Sequence, residues 1–219
     1  AWASANRLVL GPVKVDDKSN EITAIPVLLN MLDVAGCIVT TDALGCQKEI
    51  AKRVVEKDGD YVLAVKENQP GLYEHIRKLF DYAEKNHYAP VTAHDQYTQP
   101  DKDHGRLETR TCSVIAAPDY LRYLRNTDEG AGLQTIVQVV YHSRTPDGPA
   151  IELTRYFISS PPCDARRLLW AVRGHWTIED GLHWVRDVAF REDDCRVRLD
   201  NASENLAIWR HIALNLLRH

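Results

Sequence analysis

Nothing in the 219-residue chain approaches a membrane span, which needs roughly 18 consecutive apolar positions. Paired cysteine motifs are missing as well. Cys37, Cys46, Cys112, Cys163 and Cys195 are odd in number and scattered, with no Cys-x-x-Cys, which argues against a disulfide framework and a structural zinc site. A reducing, cytoplasmic compartment is the resulting expectation. There is no surplus of positive charge: 27 Lys and Arg face 31 Asp and Glu, a net charge of −4. Such a chain is not built to coat nucleic acid through net charge, although a local basic groove can exist on an acidic surface. No internal repeat and no low-complexity tract is present. The amino end shows neither an initiator Met nor a signal peptide. Ala1 to Ala5 runs directly into the strand pattern Leu8 to Val15, so the chain is expected to start inside a β-hairpin, as a fragment would. What is present, 44% hydrophobic and 26% charged residues, suits one large globular domain or one domain carrying an insertion.

Periodicity divides the chain into three stretches. In the first, 1–69, the spacing of Ile22, Ile25, Val27, Leu28, Leu29 and Leu32 predicts a helix over 21–33 with its apolar side on a sheet. A buried-strand run at 37–41 follows, then a helical pattern over 45–57 stopped by Asp58-Gly59-Asp60, then a second apolar strand at 61–66. Strand, helix and strand at this length make a βαβ unit with a parallel pair. The stretch 70–160 reads as a helix near 71–85, a polar loop to about 105, and strands at 107–116, 133–143 and 151–159, with Pro146-Asp147-Gly148 as a turn. It looks like a β-rich insertion. In 161–219 one long helix is expected over 163–190 and another over 201–217. Asn201 to Glu204 would form the capping box of the second, and Leu206, Trp209, Ile212, Ala213 and Leu216 its apolar stripe.

Two carboxylates stand out. Asp42 closes the apolar run before a helix, at the carboxyl end of a parallel strand, where α/β folds place ligand and metal groups. At about 100° per residue, Leu168, Val172, His175, Glu179, Leu182 and Arg186 share an arc of roughly 80°. Glu179 therefore lies on the stripe facing the core, where an ionised carboxylate requires a cation, a metal or hydrogen-bond donors. Two such groups suit Mg²⁺, which takes a few carboxylates with water and phosphate oxygens. From position alone the plainer readings are the commoner ones. Asp42 would cap a helix, and Glu179 would pair with Arg186 or solvent.

Six stretches carry a resemblance. They are Glu21 to Pro26, Thr41 to Ala51, Tyr61 to Gln69, His104 to Arg110, Arg173 to Glu179, and Asn205-Leu206-Ala207 to Asn215-Leu216-Leu217. In this order they resemble the H-repeat-associated transposases of bacterial insertion sequences, members of the Asp-Asp-Glu superfamily with a ribonuclease H-like core. The resemblance implies an α/β fold, a mixed sheet flanked by helices, with a β-rich insertion between the fifth strand and the Glu-bearing helix.

It further implies that Asp42 is the second Asp and Glu179 the Glu of the catalytic triad. Together they would hold Mg²⁺ or Mn²⁺, two ions in the complete enzyme, for hydrolysis of a DNA strand and its transfer to target DNA. A signature of Tyr, Arg, Glu and Lys around that Glu maps onto Val172, His175, Glu179 and Arg186, so three of its four positions are changed. Lys66, Asn68, Gln69, Arg106, Arg110, His175 and Arg186 are the expected DNA-contacting residues, with Lys66, Arg106, Arg110 and Arg186 taking phosphates rather than reading sequence. The partners implied are double-stranded DNA, as element ends and target, and further copies of the chain on DNA. The implied location is the bacterial cytoplasm, on the nucleoid when bound. The family's first Asp lies on the first core strand, which would sit between the strand at 1–5 and that at 37–41. Asp16 and Asp17 fall at the wrong end of a strand to replace it, so the chain is expected to be partial and inactive alone. Two alternatives stay open: a noncatalytic DNA-binding remnant, and a ribonuclease H-like nuclease that cuts without joining.

Overall fold

The computed structural model describes residues 1–11, 13, 21–103, 106–116, 132–144, 149–197 and 199–218; the side chains of Glu21, Asp103, Glu179 and Asp180 are not among what is described. Outside it therefore fall Pro12, Lys14 and Val15 of the expected strand, Asp16 and Asp17, the pair His104-Gly105, and the turn Pro146-Asp147-Gly148. The chain forms two compact units, residues 34–171 and residues 1–33 with 172–219.

The unit 34–171 is built on one six-stranded mixed sheet. Its strands are β3 (Ile38–Thr41), β4 (Asp60–Val65), β5 (Ala93–Asp103), β6 (Arg106–Ala116), β7 (Thr135–Arg144) and β8 (Ile151–Ser159), in spatial order β3-β4-β8-β7-β6-β5. Only β3 and β4 are parallel, with Thr41 opposite Leu63; every other pair is antiparallel. The parallel pair demands a crossover, and helix α2 (Lys48–Glu56) supplies it. Its Ile50, Ala51 and Val54 are buried, while Arg53 and Glu49 pair at 2.8 Å on the exposed side. The helix stops at a Schellman turn: Gly59 N–H donates to the Val54 carbonyl and Asp58 N–H to that of Val55, with Asp58 at φ 55°. Gly59 is needed beyond it because a Cβ there would lie 2.9 Å from the Val34 carbonyl oxygen.

Helix α3 (Pro70–Lys85) opens on Pro70, whose fixed φ suits a first helical turn. It packs Tyr73 and Phe80 on Tyr156 of β8, with centroids 5.4 and 6.0 Å apart. Strands β5 to β8, all within 70–160, extend the sheet from β4 by way of β8. The expected polar loop before residue 105 is in fact β5, paired with β6 over its whole length. β5 is an edge strand, where Pro100 and a string of polar side chains are tolerated because one backbone edge and both faces near its tip meet water. A hydrophobic alternation was therefore never required of it.

The second unit holds a short hairpin, β1 (Trp2–Ala3) and β2 (Leu8–Val9), with helix α1 (Glu21–Met31) and the carboxyl-terminal segment. Among the described side chains of α1, Leu29 is buried while Val27 and Met31 are exposed, so the predicted apolar face is only partly used. Helix α4 (Ala165–Ile178) crosses from one unit to the other and does not run to 190 as an α-helix. At Glu179 it widens into π-helical turns, Glu179–His183 and Val185–Ala189. Helix α5 (Ala202–Leu217) corrects two expectations. Asn201 makes no side-chain cap, so the capping box does not form. Trp209 is 67% and Leu216 73% exposed, whereas His211 and Leu214 are buried. The small apolar cluster of this unit, Val9, Leu182 and Leu214 with Trp2, Ile178, Val185 and Phe190 around it, engages the opposite side of the helix from the longest apolar stripe. Among the described residues no helix is long and apolar enough to cross a membrane.

Candidate active site

Asp42 occupies the first position after β3, at the carboxyl end of the parallel pair, and its side chain is exposed. Its Oδ1 accepts the backbone N–H groups of Leu44 at 3.1 Å and Gly45 at 3.3 Å. The chain thus folds back in an Asx turn, and Asp42 closes this turn without capping helix α2, whose N-cap is Gln47. Oδ2 takes no hydrogen bond among the described residues and is left for another ligand. Gly45 permits this turn, since a Cβ there would come within 2.6 Å of Cβ and Oγ1 of Thr41. The Thr41 hydroxyl is buried with no hydrogen-bond partner. The exposed Asp42 oxygen is a hard donor of the kind that Mg²⁺ or Mn²⁺ takes. Among the described residues no group of three His, Cys, Asp and Glu converges to hold a metal.

Three of the expected residues gather at this end of the sheet. Lys66 follows the last residue of β4 and is exposed, with no ion pair among the described residues. Asn68 Nδ2 donates to the Ala43 carbonyl at 3.0 Å, and Gln69 Nε2 donates to the Cys46 carbonyl. Behind the turn, burial pushes the Cys46 thiol up to about 12, against a smaller opposing effect from the Gln69 amide, so it is a neutral packing group.

Arg106 and Arg110 project toward the same end of the sheet, because β6 runs past the level of Val65, which aligns through Tyr156 and Gln138 with Ser113. They stand four strands from β3, roughly 19 Å across at about 4.8 Å per strand. Arg106 is exposed. Arg110 is already engaged: it donates to Glu108 at 2.7 Å, lies 3.7 Å from Asp101 and covers the Tyr141 ring at 4.9 Å. Tyr141 in turn donates to Glu108 at 2.8 Å; this bond first and Arg110 second hold the Glu108 carboxyl below its usual range.

Glu179, His175 and Arg186 belong to the other unit. Glu179 begins the π-helical widening, a local irregularity that recurs at functional sites. His175 lies edge-on to Trp176 with centroids 5.8 Å apart. Arg186 donates to Glu192, which Arg210 also approaches at 3.7 Å. The bond to Arg186 lowers the Glu192 pKa and raises that of Arg186. Sequence reasoning offered Glu179 as the partner of Arg186 and passed over Glu192, whose place depends on a loop with no periodic signal. It also passed over Thr41 and Gly45, although Thr-Asp-x-x-Gly after an apolar run is a readable strand-end turn.

The transposase DDE domain family matches residues 2–216. Among curated proteins, "Putative protein YbfL" and "H repeat-associated putative transposase YhhI", both of Escherichia coli (strain K12), are each 44% identical to the chain over 99% of its length. The chain spans 57% of the length of each.

Proposed function

The chain belongs to the transposase DDE domain family, and from that premise we propose that it supplies Asp42 and Glu179 to a metal-dependent site for DNA strand cleavage and strand transfer. One observation carries the reading: the Asp42 carboxylate is oriented through Oδ1 by two backbone amides, with Oδ2 unbonded, at the carboxyl end of a parallel strand. Mg²⁺ or Mn²⁺ bound there would stabilise charge on phosphoryl oxygens and lower the pKa of a nucleophile.

The chain's own residues have the remaining work. Asp42 and Glu179 would hold the ions. Lys66 and Arg106 would take backbone phosphates of double-stranded DNA, supported by their exposure and lack of ion pairs among the described residues. Arg110, His175 and Arg186 would also contact DNA in this reading, the two arginines by exchanging carboxylate partners for phosphate. The block 70–160 would be the family's insertion, and action on paired element ends would require several copies on nucleoid DNA. The test is a nicking and joining assay on DNA carrying the element's ends, with a protein of the relatives' full length. Asp42→Ala and Glu179→Ala should each lower Mg²⁺-dependent product by more than about a hundredfold, the several kcal/mol expected for a lost metal ligand. Undiminished joining by either variant would overturn the assignment.

A further inference from the structure

The turn that orients Asp42 is held from outside by two neutral amides. Asn68 Nδ2 donates to the Ala43 carbonyl at 3.0 Å and Gln69 Nε2 to the Cys46 carbonyl, so the loop after β4 grips the loop after β3 on either side of Leu44 and Gly45. Those two residues supply the N–H groups on Asp42 Oδ1. The carbonyls between them are satisfied as well, Leu44 by Gln47 Nε2 at 3.2 Å and Gly45 by the Gln47 N–H at 2.9 Å. All four carbonyls from 43 to 46 thus have donors, which is unusual for a surface loop able to turn to water.

The gripping side is itself rigid. Gln69 N–H closes a turn on the Lys66 carbonyl at 3.0 Å, the Gln69 carbonyl accepts Tyr73 N–H at 2.9 Å, and Pro70 fixes the start of α3. Only uncharged donors suit this task. A lysine would place positive charge against the carboxylate and compete for the oxygen left open, while Asp or Glu would set oxygen against carbonyl oxygen.

We infer that Asn68 and Gln69 are positioning residues that lock the 43–46 turn and thereby aim Asp42 Oδ2, in place of the DNA contacts expected of them. The inference rests on the reading of Asp42 as a metal carboxylate. Its consequence is that loosening either amide degrades metal binding through the turn and leaves the sheet intact.

The experiment uses amide hydrogen exchange and Mn²⁺-induced line broadening, both by NMR on the chain. The variants are Asn68→Ala, Asn68→Asp, which keeps size and removes the donor, Gln69→Ala and Asp42→Ala. Without metal, exchange at Leu44 and Gly45 should rise about tenfold or more in the Asn68 and Gln69 variants, the scale of one lost hydrogen bond. Val62 and Leu63 in β4 should stay as protected as in the unaltered chain, which separates loop release from global loosening. With Mn²⁺, broadening of Ala43 to Gly45 should be lost in Asp42→Ala and should require about tenfold more metal in the amide variants. Unchanged exchange at Leu44 and Gly45 overturns the clamp. Faster exchange with an unchanged Mn²⁺ midpoint overturns the positioning role. Equal broadening in Asp42→Ala and the unaltered chain sinks the metal reading of Asp42, and the metal-free exchange result identifies which of the two has failed.

Discussion

At the scale of single residues, Gly45 decides whether the Asp42 turn can exist. A methyl there would overlap Cβ of Thr41, an atom fixed to the strand and unable to swing away. Gly45→Ala should therefore cost about 1–3 kcal/mol in urea unfolding, the scale of overpacking at a tight site, and should loosen Leu44 along with it. A loss below about 0.5 kcal/mol would mean that the turn yields freely. The buried thiols give a pH signature. Burial raises both Cys46 and Cys112 to about 12. Each stays protonated in the folded chain while the unfolded thiol ionises near its ordinary value of about 8.5. Between those values the folded state binds more protons, so stability should fall as pH rises through about 9 to 12, by roughly 1.4 kcal/mol per pH unit for each thiol. Urea midpoints across that window check the sign, and their slope should lessen in Cys112→Ala. At Asp42 the turn is legible in Thr-Asp-x-x-Gly, whereas the amides that hold it from outside are not, since Asn68 stands 25 residues from the carbonyl it binds.

At the scale of elements, the βαβ unit was legible because each part carries its own periodic signal and a stop. The Asp58-Gly59 terminus is a Schellman turn as the sequence suggests, although with Asp in the left-handed position and Gly kept for close approach. β5 was illegible because an edge strand needs backbone pairing and not buried side chains. Helix α5 misled for the reverse reason: its longest apolar stripe was taken as its core face, while its unit buries His211 and Leu214 instead. α4 is anchored to the sheet by a cap that no local motif reveals. Asp95 Oδ2 of β5 accepts the Ala165 N–H at 2.7 Å, and Asp164 accepts that of Arg167 at 2.8 Å. Asp95→Ala should cost about 1–2 kcal/mol in thermal or urea unfolding, as for a lost cap, and Asp95→Asn, which keeps an acceptor, should cost less. Equal losses from both would show that charge near the helix end outweighs the hydrogen bond.

At the scale of the whole molecule, the order of the six family-like stretches is a property of the chain, whereas the site they imply depends on three dimensions. Asp42 lies in the unit 34–171 and Glu179 in the unit made of 1–33 and 172–219, and the chain passes between them at 33–34 and within α4. No periodicity within either unit can fix the separation of two groups on different bodies. A shared metal site is therefore a property that only the assembled chain can have. Iron(II) takes oxygen ligands in a near-octahedral arrangement and can replace Mg²⁺ in such sites; with peroxide it releases radicals that cut the backbone close to where it is bound. If Asp42 and Glu179 share an ion, iron-loaded protein should be cut both near 41–45 and near 177–181. Excess Mg²⁺ should suppress both cuts, and Asp42→Ala or Glu179→Ala should each abolish the pair together. Cleavage confined to the Asp42 turn and indifferent to Glu179→Ala would separate the two carboxylates. Asp42 would then stand as a lone cation site, and the Glu179 segment would need another explanation for its π-helical widening.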